Sequence, residues 1–112
     1  MSDAMSRQYT PLDYSSWVED KVITEGYNRL IENTLGLVGE AGEVAEKVKK
    51  LLRDNKQVDS ADILKEIGDV VFYATALANY FQGNLQSVID TNVIKLDSRQ
   101  ARGTIQGSGD NR

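Results

Sequence analysis

Residues 61–82 set the tightest limit on how this chain can fold. Ile63, Ile67, Val70, Val71, Phe72, Ala74, Leu77, Ala78 and Phe81 recur at helical spacing and leave few polar positions. A helix apolar on nearly every side has to be buried, so it needs neighbouring helices on more than one flank. Within it, Asp62, Glu66, Asp69 and Tyr73 fall on one narrow stripe by i, i+3, i+4 spacing. That stripe must face either a bound cation or solvent, because an unpaired carboxylate inside a bundle costs several kcal/mol.

A second acidic pair precedes it. In the stretch from Gly36 to Lys47, Glu40 and Glu43 stand three residues apart and share a helix face. Two E-x-x-[ED] pairs on two adjacent helices would bring four carboxylates into one core, and a divalent cation is the simplest reason for such a gathering. One pair alone is weak, since E-x-x-E is common on solvated helix faces. The bland alternative is a bundle whose acids stay at the surface or pair with lysines at i, i+4, as Glu43–Lys47 and Glu46–Lys50 allow.

Composition narrows the chemistry. The 112 residues contain no cysteine and no histidine. This excludes disulfides, thiolate and imidazole zinc sites, histidine-dependent nucleophile systems and the Glu-x-x-His di-iron bundle. A metal here must sit in oxygen ligands, which favours Mg²⁺, Mn²⁺ or Ca²⁺. The net charge of -4 argues against a general nucleic-acid binder. No apolar run is long enough for a membrane span. The first residues lack an apolar signal core, so a cytosolic location is expected.

The length predicts a single domain over 1–112, with a flexible N-terminus at 1–9 and a glycine-rich tail at 100–112. Thr10-Pro11 reads as a helix start, and Leu12, Trp17, Val18, Val22 and Ile23 give that helix an apolar side ending near Gly26. Trp17 is either a core anchor or the wall of a base pocket, because aromatic faces stack on nucleobases. A second helix runs from Asn28 to about Asp54, with Leu30, Ile31, Leu35, Val38, Val44, Val48, Leu51 and Leu52 recurring at three-to-four spacing on its apolar side. Gly36, Gly39 and Gly42 suggest close approach of another helix or a ligand. Its basic end, including Lys47, Lys50 and Lys56, either suits the helix C-terminus or helps to neutralise a polyanion. A loop at 55–59 precedes the third helix, about Ala61 to Gln82, with Asp59 or Ser60 as cap and Gly83 as stop. Asn84 caps a fourth, about Leu85 to Arg99, with Leu85, Val88, Ile89, Val93 and Leu96 inward and Asn92, Lys95 and Arg99 on a common face. The tail is either a disordered end or a lid.

Four carboxylates on one or more hard cations fit a triphosphate substrate. Such ions neutralise the phosphate chain, polarise its P–O bonds and lower the pKa of water. Without cysteine, histidine or a P-loop, attack by an activated water is the best-supported reaction. A carboxylate not fully engaged by metal would take the proton, and Lys95, Arg99 and tail amides would steady the departing diphosphate.

The ordered set Leu35–Glu46, then Glu66-Ile67-Gly68-Asp69-Val70, then Asn92-Val93-Ile94-Lys95-Leu96 with Arg99 resembles the MazG-like all-α nucleoside triphosphate pyrophosphohydrolases. These are related to the dimeric dUTPases and dCTP pyrophosphatases. The resemblance spans the chain from about Leu12 and implies an all-α bundle of four to five helices, assembled as a homodimer or homotetramer with sites built from more than one chain. It implies Mg²⁺-dependent cleavage of a (d)NTP between the α- and β-phosphates, with Mn²⁺ as a substitute ion. The family's metal ligands carry over to Glu40, Glu43, Glu66 and Asp69. Its fourth-helix phosphate contacts map onto Asn92, Lys95 and Arg99, and Tyr73 matches a pocket aromatic of the dCTP-specific relatives. Gly39 departs from the longer motif, which often has an acid there. The rival reading is a non-catalytic helical interaction protein with no working metal site.

Overall fold

The computed structural model describes residues 7–54 and 59–103, and four helices account for most of them: α1 (Pro11–Lys21), α2 (Gly26–Asp54), α3 (Ser60–Tyr80) and α4 (Leu85–Ala101). The described residues include no strand, so the fold is all-α as expected. None of the described helices is long and apolar enough to cross a membrane. The expectations for residues 1–6, for Lys56 and for the tail beyond Gly103 lie outside the described residues.

Helix starts follow local chemistry. The Thr10 hydroxyl accepts from the Asp13 amide at 3.1 Å, while the Thr10 amide donates to the Asp13 carboxylate at 3.3 Å, with Pro11 at the first helical position. This reciprocal box satisfies two orphan donors. Asn84 and Ser87 form the equivalent box for α4, and Asp59 caps α3 through the Ala61 amide at 3.0 Å.

Helix ends differ from the sequence expectation. α1 stops at Lys21, because Val22 turns extended (ψ 125°). Gly26, expected near its end, instead opens α2 with φ +59°. α3 stops at Tyr80 and not at Gln82. Gln82 itself takes the left-handed conformation (φ +66°) expected of Gly83. The Gly83 amide donates to the Ala78 carbonyl at 2.8 Å and the Gln82 amide to Asn79 at 3.0 Å, which is a Schellman ending shifted by one residue. Glycine carries no penalty at such a position. Gln82→Gly is therefore expected to stabilise the fold by about 0.5–1 kcal/mol, read as a higher midpoint of chemical denaturation.

α2 and α3 form an antiparallel hairpin. α1 packs on α3 and α4, and α2 packs along α3, meeting α1 through side chains at one end. A polar junction ties the four together. Arg29 of α2 forks onto Glu19 of α1 with two bonds of 2.7 Å and reaches the Ala76 carbonyl of α3 at 3.1 Å. Asn79 donates to the Ser15 carbonyl and to Glu19, and the Ser15 hydroxyl accepts from the first amide of α4 at 2.8 Å. The Arg29 guanidinium holds the Glu19 carboxyl below its ordinary range. Stability from this pair is therefore present above the unfolded glutamate pKa and is lost as pH falls through the folded one. Arg29→Ala is expected to cost about 2 kcal/mol near neutrality, after allowance for the half-exposed Glu19. In denaturation at graded pH, the gap between variant and wild type should close in acid.

The core is thin. Val18 and Ala76 are the fully buried apolar side chains among the described residues. Leu12, Ile23, Ile31, Leu35, Val38, Leu52, Val88, Ile89 and Val93, expected on apolar inner faces, are exposed in the protomer, as are Leu64 and Phe81. The reason is geometric: α2 has one neighbouring helix, so much of the apolar periodicity has no surface to meet.

Candidate metal centre

The hairpin sets the middle of α2 against the first half of α3. Glu40 thereby meets Glu66 and Asp69, and each offers a carboxylate oxygen within 4.8 Å of the other two. Glu40 and Glu66 are half-buried, and Asp69 opens to solvent. The Glu40 carboxyl is pushed above its ordinary value, first by its hydrogen bond with Glu66, then by burial, then by the charges of Glu66, Asp69 and Glu43. The Glu66 Oε2 atom is buried with no hydrogen-bond partner. Crowded carboxylates, an orphaned oxygen and a neutral-leaning acid are what a hard cation relieves, and an all-oxygen donor set suits Mg²⁺ or Mn²⁺. The residues fit such an ion. Glu43 is exposed and lies outside the close trio, acting on Glu40 through its charge. Among the described residues Glu46 meets Lys49 at 3.8 Å, and not the Lys50 expected from i, i+4 spacing.

One turn beyond Asp69, the Tyr73 ring lies over Gly36, where any Cβ would collide with it. Close approach is thus the reason for glycine at 36, whereas Gly39 and Gly42 face open space. Tyr73 packs edge-on against Phe72 at 5.4 Å, Phe72 against Trp17 at 6.1 Å, and Trp17 stacks on Tyr14 at 5.5 Å. The four rings make an aromatic wall beside the acids, and Trp17 remains partly exposed with Lys21 over its face. Sequence reasoning missed Tyr14. Burial first, then the negative charge of Asp69, push its phenol up, so its proton stays on near the acids. The available signal was its place one turn before Trp17.

Sequence reasoning also missed Asn33, which is 4% exposed on the inner face of α2. The remaining expected residues sit apart from the trio. Lys47 is half-buried, one turn beyond Glu43. Asn92 and Lys95 line a shallow cavity of about 320 Å³ with Ser87, Val88 and Thr91, and Arg99 is buried lower on the same helix. That helix, α4, makes no contact with α2.

Residues 29–103 match the family described as the MazG nucleotide pyrophosphohydrolase domain. The chain is 53% identical over 83 residues to the "Gene 37 protein" of Mycobacterium phage L5, covering 70% of this chain and 73% of that protein. No solved structure matches it.

Proposed function

The chain belongs to the MazG nucleotide pyrophosphohydrolase family, and from that premise we propose that it hydrolyses nucleoside triphosphates at the α–β bond to a monophosphate and diphosphate. The observation that carries this reading is the trio Glu40, Glu66 and Asp69, with its oxygens within 4.8 Å and one of them buried without a partner. Those three residues hold Mg²⁺, or Mn²⁺ in its place, and Glu43 joins them from the next turn of α2. When bound, the ion neutralises phosphate oxygens and makes water a better nucleophile. A carboxylate of the group not engaged by the ion takes the proton of the attacking water. Lys47, Asn92, Lys95 and Arg99 hold the phosphates, and Trp17 and Tyr73 flank the base.

The reading extends to assembly. α2 turns Glu40 toward α3 and carries its exposed Ile31, Leu35 and Val38 on the opposite face by the helical period. We infer that a second copy covers this face in a homodimer, or in a homotetramer built from two such pairs. Because α4 makes no contact with α2 in one protomer, the copies also supply the route by which fourth-helix groups join the acids.

The test is product analysis over a panel of NTPs and dNTPs with Mg²⁺ or EDTA. Monophosphate plus diphosphate, formed with Mg²⁺ alone, is the expected result. Diphosphate plus orthophosphate would move the cleaved bond, and no turnover would favour a non-catalytic interaction protein.

A further inference from the structure

α1 brings Tyr14 and Trp17 to the acids, yet its hold on the hairpin is slight. It is 11 residues long and joins α2 through the non-helical residues 22–25, where Ile23 is 93% exposed. The backbones of α1 and α2 do not come close, and the two helices meet through the fork of Arg29 onto Glu19.

As a pair, these residues add little net stability. Glu19 is half-exposed, which screens the attraction, and Arg29 is largely desolvated. The loss expected for Arg29→Ala comes from stranding the groups it binds. What a guanidinium fork supplies is direction, because two parallel bonds of 2.7 Å fix both the distance and the angle between the helices that carry them. Each end is also pinned to α3, Arg29 by the Ala76 carbonyl at 3.1 Å and Glu19 by the Asn79 amide at 3.2 Å.

Two residues before Glu19 stands Trp17. Its ring meets Phe72 edge-on at 6.1 Å and stacks on Tyr14 at 5.5 Å, and the charge of Asp69 reaches Tyr14. Val18, between Trp17 and Glu19, is fully buried. With Val18 as the fulcrum, a shift at Glu19 is passed to Trp17. We propose that Glu19 and Arg29 are positioning residues, whose fork sets where α1 holds Trp17 against the nucleotide site. Neither belongs to the acid trio or to the aromatic wall, and both act through α1. The proposal rests on the nucleotide reading above.

Trp17 is the sole tryptophan, so its emission reports the placement of α1 independently of turnover. The experiment compares the wild type, Arg29→Lys, Glu19→Gln and the double variant. It measures acrylamide quenching of Trp17, the melting temperature, and KM and kcat for the fastest triphosphate of the panel with Mg²⁺. Arg29→Lys keeps the charge without the fork, and Glu19→Gln keeps the shape with a single carbonyl acceptor. Each is expected to make Trp17 easier to quench and to raise KM by about 5-fold or more, the scale of a weakened base stack. Their kcat should stay within about 2-fold of the wild type, as for a loss of binding alone. The double variant should go no further than either single one, since the same fork is lost in all three. Variants that melt lower but keep the wild-type quenching and KM make the fork a plain stabiliser and overturn the proposal. A fall in kcat at unchanged KM overturns it too, as does a double variant whose KM change is the product of the single ones. Each of these leaves the nucleotide reading standing. A wild type that turns over no triphosphate overturns that reading and the positioning role with it.

Discussion

Asp69→Asn is expected to lower turnover of every triphosphate by at least about 100-fold while leaving the helical content unchanged. Asp69 is the solvent-facing member of the trio, so the isosteric amide leaves no cavity and strands no buried charge. What it removes is one carboxylate oxygen from the set proposed to hold a divalent ion. Glu66→Gln should be at least as severe, because its carboxylate is the shared neighbour of Glu40 and Asp69 and carries the orphaned oxygen. The stability readout separates this from a folding defect. Glu40 has a raised pKa, so its contribution to metal-free stability is full below the ordinary glutamate pKa of about 4.3 and is lost as pH rises through the folded value. Near neutral pH the metal-free wild type therefore carries like-charge repulsion that Glu40→Gln relieves. The variant should melt no lower than the wild type without Mg²⁺, with a gap that opens as pH rises. Added Mg²⁺ should raise the wild type's melting temperature by mass action and leave the variants nearly unmoved. Full activity in Asp69→Asn would mean that the trio is not the metal centre.

Much of this centre was legible in the sequence because helical spacing is local. Glu66 and Asp69 stand one turn apart in an apolar helix, so their shared face could be read from spacing alone. Thr10-Pro11, Asp59 and Asn84 announced their helix starts for the same reason: a cap is decided within four residues. What stayed hidden depends on the partner surface. Glu40 and Glu43 share a face by spacing, but α3 lies closer to one side of α2, so Glu40 closes on Glu66 while Glu43 faces solvent. Asn33 sits between Glu32 and Thr34 in a polar run that reads as solvated, and its burial follows only from where α3 runs. Gln82 shows the converse. The hydrogen bonds of a Schellman ending can be met one residue before the glycine that the sequence offers for it, when the pairing of Gly83 with Ala78 is worth more than the local strain.

Leu35→Glu combined with Val38→Glu is expected to break the proposed assembly into single chains, and those chains should lose cooperative folding. The argument begins from what one protomer buries. Leu35 and Val38 are each 65% exposed, and together with Ile31 they form an apolar stripe with i, i+4, i+7 spacing on the side of α2 away from α3. Gly42 and Ala45 extend that side with small residues, which lets another helix come close. Meanwhile, among the described residues, few apolar side chains are fully buried within the protomer, and covering the α2 stripe would add to that core. Two glutamates facing their symmetry mates would set charge against charge and leave it desolvated, costing several kcal/mol per contact. Light scattering should give the wild type a mass of two or four chains and the double variant a mass of one, with a broadened thermal transition and no hydrolysis. Leu35→Met, which keeps the apolar volume, should retain both mass and activity. A wild type that scatters as a single chain, with a sharp transition, would mean that the α2 face needs no partner.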